Sequence, residues 1–130
     1  DHRLPLLVHC GRRQDTASYI YVIETAKKYP DATFIICHLG GDHEQLKLQA
    51  PLDVKQSGLN NIYFDISATR EFWTIQQGVA VLGAERFIFA SDYPVMHPKS
   101  SVETIRALEL SERERKLIFG ENILKILEKR

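Results

Sequence analysis

Apolar residues along this chain gather into four short runs, each closed by a polar residue or a glycine and most followed by a stretch of helical spacing. Leu4–Cys10 is the first, with Pro5 near its start and Gly11 ending it. Asp15 or Thr16 can cap a helix over 17–29, stopped by Pro30, with Ala17, Ile20, Ile23 and Ala26 on one face. Thr33–Cys37 is the second run, leading into His38 and the turn Gly40–Gly41. A short helix fits 42–49, and 51–58 carries no clear period. Ile62–Ile66 is the third strand, and a helix over 70–82 follows with Gly83 as its C-cap. The fourth run, Phe87–Ala90, leads to Asp92, and Pro94 stops any further ladder. Ser100-x-x-Glu103 and Ser111-x-x-Glu114 read as capping boxes opening two closing helices. Gly120 ends the second of these, and Asn122 caps a last amphipathic piece containing Ile123, Leu124 and Leu127.

Strands joined by helical crossovers pair in parallel with right-handed connections, so the chain is α/β in class. An open doubly wound sheet and a segment of a (β/α)8 barrel both satisfy the pattern. Neither Gly-x-Gly-x-x-Gly nor the phosphate-loop lysine motif occurs, which removes the commonest reason to prefer the open sheet. The 130 residues suffice for one domain with one core.

Charge narrows the function classes. Seventeen basic residues balance seventeen acidic ones, so no net field favours nucleic acid or an anionic membrane. No apolar run approaches the roughly 20 residues of a membrane span. The only cysteines, Cys10 and Cys37, form no Cys-x-x-Cys pair, which argues against a disulfide scaffold and points to a reducing, cytoplasmic compartment.

The chemistry lies where three side chains fall. His9, His38 and Asp92 each end a strand, and the ends of parallel strands share one rim, where ligands bind in such architectures. Imidazole and carboxylate together are what a catalytic divalent ion uses. Strand alternation puts His9 on a face with Leu7, and His38 on a face with Ile36 and Phe34. Cys10 and Cys37 then point the other way, as core residues beneath the outer helices. His43 and His97 read as loop residues, and His2 as irrelevant to the site. Asp65 lies near the rim, with its face undecided by strand phase. Arg12, Arg13 and Tyr93 sit on the rim loops, where a substrate carboxylate would meet them; solvated loop charge is the plainer reading of the arginines.

Leu4–Gly11, Tyr29–Gly41, Asn61–Ser67, Phe87–Pro94 and Leu117–Leu124, in that order, resemble the amidohydrolase-related metal-dependent hydrolases. That group includes aminocarboxymuconate-semialdehyde decarboxylase and related decarboxylases, hydratases and lactonases. The resemblance covers essentially the whole chain. It implies a distorted (β/α)8 barrel of which this chain supplies strands five to eight and the terminal helices. It also implies that His9 and Asp92 bind a divalent metal, zinc in the first instance. His38 then acts on substrate or on water, with Asp92 sharing the catalytic work. The family's His-x-His pair has no counterpart, since no two histidines here stand two apart.

The expectation is therefore a single partial domain over 1–130, the C-terminal half of a longer protein. Alone it would leave strand edges and the faces of Leu7, Phe34 and Ile36 uncovered, at about 25 cal/mol per Å2 of apolar surface. The whole protein would hydrolyse, or decarboxylate without oxidation, a small carbonyl, lactone or carboxylated substrate. Two rivals stand beside it: a metal-dependent DNase-like hydrolase, and a non-catalytic half-barrel whose free edges pair with another chain, as in a homodimer.

Overall fold

In the computed structural model, which describes residues 4–128, the four apolar runs form one parallel sheet. The strands are β1 (Leu6–Val8), β2 (Phe34–Ile36), β3 (Ile62–Asp65) and β4 (Phe87–Ile88), in spatial order β1-β2-β3-β4. Three crossover helices separate them: α1 (Tyr19–Lys28), α2 (Glu44–Ser57) and α3 (Phe72–Leu82). Then come α4 (Pro98–Ala107), α5 (Glu112–Lys116) and α6 (Asn122–Glu128). His2 lies outside the described residues.

Register shows which face is which. Val8, Ile36, Phe64 and Phe87 stand side by side across the sheet, and Phe34 pairs with Ile62. All of these join the main core, with the Phe64 and Phe87 rings stacked 5.7 Å apart. Tyr19, Val22, Ile23 and Ala26 of α1 cover them, as do Ala50 and Val54 of α2 and Ile75 and Val79 of α3. At Gly78 of α3 an added Cβ would fall 2.9 Å from Phe87 Cζ, so the missing side chain lets helix and sheet close together. The opposite face holds Leu7, Ile35, Tyr63 and Ile88. A second cluster of Ile35, Ile88 and Ile126, with Tyr63 and Ile123, forms there where α6 packs on it.

This corrects the strand phase read from sequence. Phe34 and Ile36 are buried under the helices, whereas Leu7 is 66% exposed. The expectation failed because His38 is not a continuation of β2. The chain turns at Cys37–Gly40, with His38 (φ 57°) and Leu39 (φ 55°) both left-handed, so alternation stops before His38 is reached.

Several boundaries also differ. Ser18, not Asp15 or Thr16, caps α1, accepting from the Ile20 amide, and Ile20 itself is exposed. The unreadable 51–58 belongs to α2, a 14-residue helix that keeps Pro51 inside it and ends at left-handed Gly58. Ser100 caps nothing. His97 caps α4, with Pro98 in the first turn, where the lost amide costs no hydrogen bond. Ser111 and Glu114 do form the reciprocal capping box. Gly120 does not end a helix: α5 runs through a π turn at Leu117–Glu121 into α6. That widening frees the Ile118 carbonyl, which accepts the Phe89 amide at 2.9 Å. Asn122 is no cap either. Its buried amide donates to the carbonyls of Ala84 and Phe87, both at 2.8 Å.

Candidate active site at the strand ends

A cleft of about 360 Å3 opens beyond the carboxyl ends of the strands, lined by His9, His38, Asp92 and Lys47 among others. Three loops deliver the first three. His9 follows β1 directly, and its ring lies over Gly11, where a Cβ would stand 2.7 Å from His9 Nε2. His38 is presented by the left-handed turn after β2. Asp92 follows β4 and is also left-handed, at φ 61°, a conformation aspartate tolerates; its carbonyl accepts the Val95 amide at 2.7 Å. The Tyr93–Pro94 peptide is cis.

His9 Nδ1 and His38 Nε2 are 3.0 Å apart, with the rings edge-on. Two imidazole nitrogens held by one ion at about 2.0–2.1 Å stand roughly 3–3.4 Å from each other, so this pair fits adjacent positions on a divalent cation. Asp92 lines the same cleft. Among the described residues, however, no three His, Cys, Asp or Glu side chains gather closely enough to hold an ion by themselves. The residues thus fit part of a metal site.

Behind His38 lies a carboxylate that strand phase left unassigned. Asp65 ends β3 at 5% exposure and does not line the cleft. Its Oδ1 accepts the His38 amide at 2.9 Å, the Ser67 amide at 3.0 Å and the Ser67 hydroxyl at 2.5 Å. Ser67, unremarked in the sequence, also lies 2.8 Å from His38 Nδ1 through its Oγ.

Lys47 is the other residue that sequence reading missed. It is 2% exposed and donates to Glu71 at 2.6 Å. A lysine on the helix face of Ala50, Pro51 and Val54 was the available signal, hidden because the helix read over 42–49 stopped short of Pro51 and Val54, which complete that face. Burial is the largest single influence on the Glu71 carboxyl and would raise it, but the hydrogen bond and charge of Lys47, together with backbone hydrogen bonds, outweigh it and hold the group below its ordinary value. Arg12 pairs with Asp42 at 2.8 Å, and that hydrogen bond lowers the Asp42 carboxyl.

The cysteines divide. Cys10 is in the main core, as expected, and burial with the nearby Asp65 charge pushes its thiol up to about 12. Cys37 belongs to neither apolar cluster and sits by Asp65; burial first, then that carboxylate, raises it as well. Burial thus disfavours the thiolate, the reactive form, at both. His43 precedes α2 without capping it, 3.6 Å from Asp42. His97 caps α4 and Tyr93 is exposed, with rings 6.5 Å apart. Arg13 is exposed too. A larger hollow of about 1250 Å3, at the other end of the strands, has no histidine or cysteine in its lining.

The family model described as Amidohydrolase matches residues 1–129. The chain belongs to the amidohydrolase family. No curated protein matches it. Its fold is that of solved TIM-barrel amidohydrolases, of which it forms a partial α/β barrel. An uncharacterized TIM-barrel protein from Bordetella bronchiseptica superposes with TM-score 0.78 at 18% identity, over 99% of this chain and 47% of that one. A dihydroxybenzoic acid decarboxylase from Polaromonas sp. JS666, solved with bound manganese and the inhibitor 2-nitroresorcinol, gives 0.70 at 17%, over 98% and 51%. An amidohydrolase from Burkholderia multivorans with bound zinc gives 0.71 at 13%, over 94% and 52%. The chain thus spans about half the length of each of these three proteins. Among the described residues no helix is long and apolar enough to cross a membrane.

Proposed function

We propose that this chain carries part of the active site of a metal-dependent amidohydrolase-family enzyme. That enzyme hydrolyses, or decarboxylates without oxidation, a small carbonyl, lactone or carboxylated substrate. The observation that carries the reading is the convergence of His9 Nδ1 and His38 Nε2 at the strand ends. Manganese and zinc in the two metal-containing neighbours favour a divalent ion, and the imidazole donors suit zinc. His9, with Asp92 beside it in the cleft, would hold the ion; His38 is placed to join them or to face substrate. The chemistry supplied by a divalent ion, when bound, is a water activated near neutral pH and a polarised substrate oxygen.

The chain's own residues do the rest. Asp92, on the cleft wall, takes up a proton at a carboxylate oxygen and passes it on. His38 acts through Nε2 on substrate or on water, taking up a proton there. The test is turnover of the full-length protein, loaded with zinc or manganese, on aromatic carboxylic acids and on lactones. Carbon dioxide release separates decarboxylation from hydrolysis. Loss of about 10^2–10^4-fold in His38→Ala supports the role, and unchanged turnover overturns it.

A second reading has one observation in its favour. Leu6 and Leu7, on edge strand β1, are 51% and 66% exposed, as a strand covered by another chain would be. Metal-free, inactive full-length protein that associates through this edge would favour an interaction module over an enzyme.

A further inference from the structure

We infer that Asp65 and Ser67 are positioning residues that fix which nitrogen of His38 carries its proton, and so keep Nε2 unprotonated. A carboxylate only accepts, so the 2.5 Å contact between Ser67 Oγ and Asp65 Oδ1 consumes the serine proton. Ser67 Oγ, 2.8 Å from His38 Nδ1, is then left as an acceptor. The Ser67 carbonyl, 3.4 Å from the same nitrogen, is an acceptor of any donor. Both contacts are satisfied only when Nδ1 carries the hydrogen. His38 Nε2 therefore holds a lone pair, and the proton between the two rings belongs to His9 Nδ1, which donates across 3.0 Å.

Asp65 acts twice on the same residue. Besides holding the serine hydroxyl, it accepts the His38 amide at 2.9 Å, at the position where the backbone is left-handed. A non-glycine residue pays conformational strain there, and a buried carboxylate bonded to the amide offsets it. One side chain thus sets both the direction of the imidazole, through the main chain, and its tautomer, through Ser67. A bare Nε2 is what metal ligation and acceptance of a substrate proton both require.

The inference rests on the reading of His38 as a site residue, but its test does not use activity. Full-length protein labelled with 15N at histidine, stripped of metal and held at one pH where imidazoles are neutral, reports the tautomer through its ring nitrogen shifts. Wild type is expected to show His38 Nε2 unprotonated. Ser67→Ala is expected to move His38 to a mixture or to the opposite tautomer, and Ser67→Thr, which keeps the hydroxyl, to restore it. A protonated Nε2 in wild type overturns the inference with no variant needed, and so does an unchanged tautomer in Ser67→Ala. A changed tautomer with turnover intact upholds the positioning role and counts against His38 in the reaction.

Discussion

His9 and His38 lie 29 residues apart in the chain, yet their rings meet at 3.0 Å, because β1 and β2 are parallel neighbours whose carboxyl ends coincide. Val8 pairs with Ile36, so the residues just past each strand start from the same level of the sheet. The contact is thus a product of register, and it brings two imidazole nitrogens together at the strand ends.

Removing His9 should remove metal before it removes fold. His9 is exposed and belongs to neither apolar cluster. His9→Ala in the full-length protein should keep the wild-type melting temperature within a few degrees and lose most bound metal by elemental analysis. Wild-type occupancy would eliminate His9 as a ligand.

Gly11 tests the same pair sterically. A Cβ there falls 2.7 Å from His9 Nε2 and 3.3 Å from Cε1, so Gly11→Ala must push the imidazole aside. The expected outcome is a folded protein whose metal affinity drops about 10–100-fold, the range typical of losing ligand support. Isothermal titration with zinc measures it.

The Lys47–Glu71 pair should be visible as stability. Lys47 is nearly buried, so little water is at hand to replace its partner. Glu71→Gln should cost about 1–3 kcal/mol by urea unfolding at neutral pH, below the range for fully buried pairs because Glu71 is partly exposed. The pH dependence has a definite sign. The folded carboxyl lies below its unfolded value of about 4.3, so the stabilisation is complete above that value. It fades as acid carries the solution down through the folded value. The gap between wild type and Glu71→Gln should therefore narrow below about pH 4.

Asn122→Ala should destabilise by about 1–3 kcal/mol. It strips the buried Phe87 carbonyl of its side-chain donor, and leaves the Ala84 carbonyl with the Phe87 amide alone. Asn122→Asp should be as harmful, since a carboxylate cannot donate to either oxygen. Chemical denaturation of the two variants checks both statements.

What the sequence made legible was whatever depends on local pattern. Phe34–Ile36 and Ile62–Asp65 are β-branched and aromatic runs, and no other element competes for them. Their parallel order followed from the helices between. His9, His38 and Asp92 were visible as polar residues closing apolar runs, and all three line one cleft. The rest turns on tertiary detail. Extrapolating alternation from Phe34 to His38 failed because His38 and Leu39 adopt left-handed backbone that no residue type there announces. Only the first half of α2 was legible, because Pro51 breaks the usual helix pattern and hid the continuation to Ser57. Ser67 was overlooked because a serine gains chemical meaning only from its neighbours, here Asp65 two residues back and His38 on the turn after the adjacent strand.

The π turn at Leu117–Glu121 has a consequence for how insertions and deletions are tolerated near the C-terminus. Deleting one residue there would straighten α5 and α6 into a single regular rod, and by helical criteria the change would pass as a repair. It would also withdraw the Ile118 oxygen from the Phe89 amide, three residues before Asp92. Length variation in this distant stretch is therefore felt at the cleft, and a tail that looks dispensable is in effect part of its scaffolding.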